Sequence, residues 1–329
     1  RIFKIKVTKI SIGFGRPLFS WQGRNCQWVW AMWPLGGYAR LLNSRIEPVS
    51  QKESKFCFDK KPVYVRCVVL LAGSFANILT AWLALMLMLM LGYHQTVPVV
   101  ASVTHPSMAA TAGLVAGDRI ISLAGQKVPS WREVGMQLIM TMGRDKVDMV
   151  VENATREKRH VSLDLAHWQY KHERQSLLKS MGITPNLSKQ SIQKVPGLAF
   201  LQACEQAFLQ VMELFYFFLV MLKQLLTGFI PFAALLGPFG LVTAMVGSFL
   251  QGLAVFLYFI ATLSLAVALV NLFPLPGLDG GSMVYALVEK IRGKPVSIGM
   301  EVLLHRLMFI LFCLVLVQLI LNDVQRYLH

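Results

Sequence analysis

Apolar and polar positions along the chain follow two different periods, and long uncharged runs interrupt both. Ile2-Phe-Lys-Ile-Lys-Val-Thr-Lys-Ile10 alternates residue by residue, the period of a strand. Ser11-Ile-Gly-Phe-Gly15 then reads as a turn, and Gln27-Trp-Val-Trp-Ala-Met-Trp33 as a second strand ending at Pro34-Leu-Gly-Gly-Tyr38. This pattern predicts a β-hairpin, with two placements open. It lies at the membrane interface, where Trp is favoured, or packs as an ordinary small sheet on the cytoplasmic side. Residues 43–62 are a polar, Lys-rich linker. Cys67 to Leu91 is uncharged throughout, long enough to span a bilayer with some tilt. From Gln224 to Leu278 there is again no charged residue, too long a stretch for one span at about 1.5 Å per residue. Pro231 and Leu236-Gly-Pro-Phe-Gly240 break it. The expectation is an interfacial helix to about Gly228, a broken or re-entrant piece to about Gly252, and a span over Leu253–Phe273. A last span is expected over Leu307–Leu321.

The polar insertion between these runs, residues 93–202, is long enough for one small domain. Within it Ser107-Met-Ala-Ala-Thr-Ala-Gly-Leu-Val-Ala-Gly-Asp-Arg-Ile-Ile-Ser-Leu-Ala-Gly125 predicts a short helix ending at Gly113, a tight turn at Gly117-Asp118 and a strand over Arg119–Leu123. Trp131–Met142 reads as an amphipathic helix, and Val147–Val151 and His160–Leu165 as strands. This order resembles a PDZ domain, a fold that captures extended peptides by strand addition. The resemblance places its groove near Ala112, Gly113, Leu114, Gly117 and Asp118.

Composition agrees with the membrane reading. The chain is 55% hydrophobic, with a mean hydropathy of +0.54. Its formal charge of +15 is uneven: residues 1–66 carry 13 Lys/Arg against 3 Asp/Glu, whereas residues 203–329 carry 6 against 6. The positive-inside rule makes the first segment cytoplasmic, against anionic lipid. That is sufficient cause for the basic flank, and no nucleic-acid partner is expected. The five cysteines, 26, 57, 67, 204 and 313, are odd in number and lack CxxC spacing, so no disulfide framework or thiolate metal site is expected.

The candidate chemistry centres on Asn271-Leu-Phe-Pro-Leu-Pro-Gly-Leu-Asp-Gly-Gly281. Pro274 and Pro276 cannot continue a regular helix. Broken backbone at membrane depth is tolerated only where it is buried in protein or lines a wet cavity. Asp279 thus has two open readings: a turn residue at the water surface, or an ionisable group held in the membrane for function. Gly73 and Asn77 lie four apart on one helix face, a packing pair first and a site second. The histidines (94, 105, 160, 167, 172, 305 and 329) include no i, i+4 pair, and no HExxH occurs.

Taken in order, Ser11-Ile-Gly-Phe-Gly15, Pro34-Leu-Gly-Gly-Tyr38, Ala72-Gly-Ser-Phe-Ala-Asn77, the PDZ-like insertion and the 271–281 string resemble the site-2 proteases of the bacterial RseP type, over nearly the whole chain. The resemblance implies an intramembrane zinc metalloprotease in regulated intramembrane proteolysis. It holds one zinc ion by two histidines of an HExxH and one Asp, and the matching residue here is Asp279. The HExxH glutamate, the family's general base, is absent from this chain. Asn271, Pro274, Pro276, Gly36 and Gly37 match positions that position the substrate, and Gly73 and Asn77 positions that pack near the site. Implied partners are the lipid bilayer and transmembrane protein or peptide substrates, such as anti-sigma factors and remnant signal peptides. The implied location is the bacterial inner (cytoplasmic) membrane, multi-pass, with the PDZ-like domain periplasmic.

Several departures shape the expectation. The helix bearing HExxH is expected upstream of Arg1, so the chain reads as an N-terminally truncated, inactive fragment or as a pseudo-protease, a membrane-anchored PDZ adaptor. Ser74 and Ser282 stand where this type often has Pro and His, and a second PDZ domain is missing. The expected fold is a polytopic α-helical membrane protein of about three spans, with a membrane-associated β-hairpin and one inserted PDZ-like α+β domain. The expected order is a basic cytoplasmic segment with a β-loop (1–66), a transmembrane helix (67–92), the extracytoplasmic PDZ-like domain (93–202), interfacial or re-entrant helices (203–252), a transmembrane helix ending in the motif (253–281), a cytoplasmic loop (282–306), and a transmembrane helix with its tail (307–329).

Overall fold

The computed structural model describes residues 3–23, 26–166 and 176–328. His167, Trp168 and His172 lie outside the described residues. Two long strands, β1 (Val7–Gln22) and β2 (Gln27–Leu41), open the chain and precede helix α1 (Val63–Leu91). An α/β module follows: β3 (Tyr93–Thr96), β4 (Val100–Val103), α2 (Met108–Thr111), β5 (Arg119–Leu123), β6 (Gln126–Lys127), α3 (Trp131–Thr141), β7 (Lys146–Glu152), β8 (Lys158–Asp164), α4 (Leu177–Ser180), β9 (Ile183–Pro185) and β10 (Ile192–Val195). The remainder is helical: α5 (Phe200–Leu226), α6 (Pro238–Leu250), α7 (Leu253–Leu272), α8 (Asp279–Arg292) and α9 (Ile298–Leu328). The chain divides into two compact units, Arg1–Ser74 with Asn271–Arg306, and Phe75–Val270 with Leu307–His329.

Among the described residues, five stretches are long and apolar enough to cross a membrane: Val63–Leu91, Phe200–Leu226, Phe232–Leu250, Leu253–Leu272 and Ile298–Arg326. The sequence reading expects about three. The two additions fall where it expects interfacial or re-entrant pieces. α5 follows an extended Ala199 and continues for 27 residues, apolar enough to span despite Glu205, Glu213 and Lys223. Phe232–Leu250 is a short 3-10 turn followed by the 13-residue α6, whose first helical residue is Pro238, a position where proline's missing N–H costs nothing.

In the first unit, β1 and β2 extend beyond the short strands expected from the sequence. Gly13 and Gly15, with φ of +90° and +89°, bend β1 without ending it. Lys9–Ile12 is therefore partnered twice, by Gln27–Trp30 and by Gly37–Arg40, while Pro17–Gln22 pairs with Gln27–Ala31. Gly37 sits opposite Ile12 where a Cβ would overlap the Ser11 carbonyl oxygen, so this pairing needs glycine. Leu18, Phe19, Trp21 and Trp30 are exposed on this sheet, and Trp21 stacks on Trp28 at 5.7 Å.

In the second unit the module has its own core, built by Ile120, Leu123, Leu138, Met149, Leu163 and Met181 around a four-stranded sheet of order β6-β5-β7-β8. A separate cluster packs α1, α5 and α7 through Ala81, Ala84, Leu85, Ala203, Ala207, Ala261 and Leu265. Alanines at these crossings let helix backbones approach where lipid supplies no hydrophobic drive. Trp82 Nε1 donates to the Cys204 carbonyl at 3.2 Å across the same packing.

The entrance to α6 is held by α9. The buried Asp323 carboxylate accepts from the backbone N–H groups of Gly237 at 2.9 Å and Gly240 at 3.0 Å. Asn322 Nδ2 donates to the Phe232 carbonyl at 2.8 Å. A Cβ at Gly237 or Gly240 would collide with the Asp323 carboxylate, so both glycines are required by the cap. The carboxylate satisfies donors that a helix start leaves unpaired, and does so where water is scarce. Asp323→Ala should cost about 2–4 kcal/mol, since charge-assisted bonds are worth roughly 1.5–3 kcal/mol each and the freed amides stay buried. Thermal unfolding in detergent micelles, comparing Asp323→Ala with Asp323→Asn, should show the larger loss for alanine.

Candidate functional site

α7 ends at Leu272 and α8 begins at Asp279, with six residues of broken backbone between them. Pro274 and Pro276 cause the break, and hydrogen bonds show how it is organised. Leu275 N–H donates to the Phe273 carbonyl at 2.8 Å, across Pro274. Leu278 N–H donates to the Leu275 carbonyl at 3.1 Å, across Pro276 and Gly277. Proline followed by a glycine at φ +89° is the requirement of a type II turn. The chain thus reverses tightly and starts α8 almost against the end of α7.

That proximity explains the two glycines after Asp279. A Cβ on Gly280 would overlap the carbonyl oxygens of Leu272 and Phe273, and one on Gly281 would overlap that of Leu275. The first turn of α8 is pressed backbone to backbone on the turn that precedes it. Both glycines are buried. The result is a fixed direction for Asp279, the first residue of α8.

α1 supplies the other wall. A Cβ at Gly73 would lie 3.4 Å from Asp279 Oδ2, so the smallest residue faces the carboxylate. Among the described residues no donor reaches that carboxylate. Partial burial alone pushes its carboxyl above the ordinary carboxylate range. Ser74, next along α1, is buried, and its hydroxyl has no hydrogen-bond partner among the described residues. The ring of His305 lies beside the turn: a Cβ on Gly277 would meet it at 3.9 Å, and its centroid is 6.2 Å from that of Tyr285.

α8 is held at its far end by an ion pair. Arg66 Nη1 donates to Glu289 Oε2 at 2.7 Å, with the Arg66 side chain only 9% exposed. The following loop is fixed by Arg45, which pairs with Glu301 at 2.8 Å and donates to the Val296 carbonyl at 2.6 Å. The sequence reading passes over Arg66 as a charge flanking the span. α1 in fact begins at Val63, so Arg66 lies inside the helix, and that placement is the signal of a paired role.

The remaining residues singled out from the sequence fall as follows. Asn271 is half-buried in the last turn of α7, Pro274 is exposed and Pro276 half-buried. Gly36 and Gly37 lie within β2. In the second unit, the Asn77 carbonyl accepts from the Ser264 hydroxyl at 3.0 Å, joining α1 to α7. In the module, Ala112 caps α2, and Gly113 and Gly117 take φ of +83° and +92° in the turns after it. Leu114 is a core residue. Asp118 is 1% exposed, accepts from Val115 N–H at 3.0 Å and pairs with Arg159 at 2.8 Å. Leu114 and Asp118 thus turn their side chains into the module's interior.

A catalytic zinc takes three protein ligands and keeps one open position. Among the described residues no three His, Cys, Asp or Glu side chains converge. Asp279 is a suitable single oxygen donor, free of competing hydrogen bonds, but the described residues do not by themselves form a zinc site.

The sequence matches Peptidase family M50 over residues 1–315. It is 25% identical to the regulator of sigma-E protease RseP of Salmonella typhimurium over 415 residues, covering 98% of this chain and 92% of that protein. It is 26% identical to the regulator of sigma E protease of Haemophilus influenzae over 410 residues, with the same coverage of 98% and 92%. A candidate zinc metalloprotease of Pasteurella multocida is 26% identical over 390 residues, covering 92% of this chain and 88% of that protein. The alignment with the Salmonella protein is longer than this 329-residue chain, so that relative carries inserted sequence with no counterpart here. With its family match running through the aromatic sheet, the broken helix and Asp279 alike, the chain belongs to peptidase family M50, the site-2 proteases.

Proposed function

We propose that the chain serves regulated intramembrane proteolysis of single-span membrane substrates, such as anti-sigma factors or remnant signal peptides, with Asp279 as one ligand of a single zinc ion. One observation carries the reading. Among the described residues no hydrogen-bond donor reaches this partly buried carboxylate, which lies beside broken backbone with a glycine on the facing helix. Its burial disfavours the ionised form, and no described residue pairs with it. The names of the relatives and the family support a metalloprotease chemistry in which zinc, when bound, activates water.

The chain's own residues would contribute positioning. Pro274 and Pro276 leave the backbone after α7 open to an extended substrate, and Asn271 stands at the lip of that break. Gly36 and Gly37 begin the segment that pairs with Lys9–Ile12, and this aromatic sheet would help to position an unwound substrate segment. The 93–202 region would act as a PDZ-like filter on the periplasmic side of the inner membrane, its groove bounded by the turns at Ala112, Gly113 and Gly117. The 329 residues contain no HExxH, so Asp279 is one member of a ligand set and not the whole of it.

Two outcomes test this reading on protein taken from its native membrane. Asp279→Asn should lower both zinc content and cleavage of a model span by more than the roughly 10–100-fold typical of changes in the outer partners of metal ligands. Because burial raises the Asp279 pKa, the folded state disfavours the ionised form, and the stability present below the unfolded pKa is lost as pH rises through the higher folded one. Metal-free Asp279→Asn should therefore melt no lower than metal-free wild type at pH 7. Gly281→Ala should abolish cleavage too, but with a lowered melting temperature, since its Cβ overlaps backbone. Client binding that persists in Asp279→Asn, from a wild type that never cleaves, would replace the protease with a PDZ adaptor.

A further inference from the structure

Among the described residues no hydrogen bond aims the Asp279 carboxylate, so its position follows the placement of α8. In the C-terminal half of that helix Ala286 is buried, but Leu287 is 47% exposed and Ile291 84%, so apolar packing there is thin. The Arg66–Glu289 ion pair adds a second hold on that half. Arg66 and Gly73 are seven residues apart on α1, two helical turns, and so share a face about 10 Å long. Asp279 and Glu289 are ten residues apart on α8, about 15 Å. Gly73 meets Asp279 and Arg66 meets Glu289, so α1 and α8 run antiparallel and touch at two separated points.

Two separated contacts fix what one cannot. The corner at Gly280 and Gly281 and the Gly73 contact hold the first turn of α8, but they lie at one end of the helix and leave its far end to be fixed separately. The ion pair ties that far end to α1, and it is built to persist. Arg66 is nearly buried, and a buried guanidinium without its partner is strongly disfavoured. We propose that Arg66 and Glu289 are positioning residues that set the depth and direction at which α8 presents Asp279. The proposal rests on the assignment of Asp279 to the reactive site, but its geometric content does not.

The test uses the protein taken from its native membrane and returned to lipid vesicles. Residue 279 is read directly by replacing it with cysteine, in a background where the five native cysteines are alanine, and timing its reaction with a water-soluble thiol reagent. Arg66→Gln and Glu289→Gln are each expected to change that rate about tenfold. In the protein with Asp279 intact, the same two variants should lower kcat by about tenfold or more with KM little changed, as small misplacements of reacting groups do. The paired exchange Arg66→Glu with Glu289→Arg should restore both readouts, which a general loss of folding would not allow.

Alkylation within twofold of the parent in folded Arg66→Gln would overturn the proposal. So would a fall in kcat with unchanged alkylation, or single variants that unfold and are not recovered by the exchange. If the parent protein cleaves no substrate, the protease reading fails while the alkylation arm still decides whether the pair positions residue 279.

Discussion

The site depends on one close approach of backbone to backbone. The first turn of α8 lies against the carbonyl oxygens of Leu272, Phe273 and Leu275, and only hydrogen atoms at Gly280 and Gly281 leave room for it. The prolines break the helix, but a break alone would give a loose loop. Contact between α8 and the turn converts the break into a rigid corner, with a carboxylate at its apex. A side chain at either glycine would push α8 away and carry Asp279 with it.

Within each unit, charge buried in an apolar segment is met by a partner among the described residues. Arg66 is buried and answered by Glu289, and Asp323 is buried and answered by the amides that begin α6. In each case a charge in an apolar segment sits at a helix end or joins two helices, which is where unpaired backbone or an opposite charge can meet it. Asp279 differs: it is partly buried, and among the described residues nothing answers it. Arg66 itself keeps its Nε without a partner among the described residues, whereas both Asp323 oxygens accept backbone N–H groups.

The module shows a different use of a carboxylate. Asp118, in the Gly-Asp turn, caps its own loop and binds Arg159 from β8, so the turn that marks the domain in sequence is a fastening of its core. Gly113 and Gly117 supply the positive φ values that shape the surrounding turns. The aromatic sheet bends the same way at Gly13 and Gly15, while Gly37 permits the close approach to the Ser11 carbonyl oxygen.

Properties local to a few residues were legible without the structure. The uncharged runs located α1 and α7 to within a few residues, because lipid exposure demands an unbroken apolar stretch. The strand Arg119–Leu123 followed from the Gly-Asp turn before it and the helix from Trp131 from its period, and the prolines of the 271–281 string marked the break after α7. The length of α5 and the continuation of β1 through its glycines were not legible, because a bend and an end use the same residues. Nor was any contact between distant residues. Gly73 facing Asp279, Arg66 holding Glu289 and Asp323 capping α6 each join positions more than 80 residues apart. The sequence by itself determined which residues can break a helix, cross a membrane or carry a charge there. The tertiary structure alone decided which charges are answered and which is left free, because that depends on what the folded chain brings within a few ångströms.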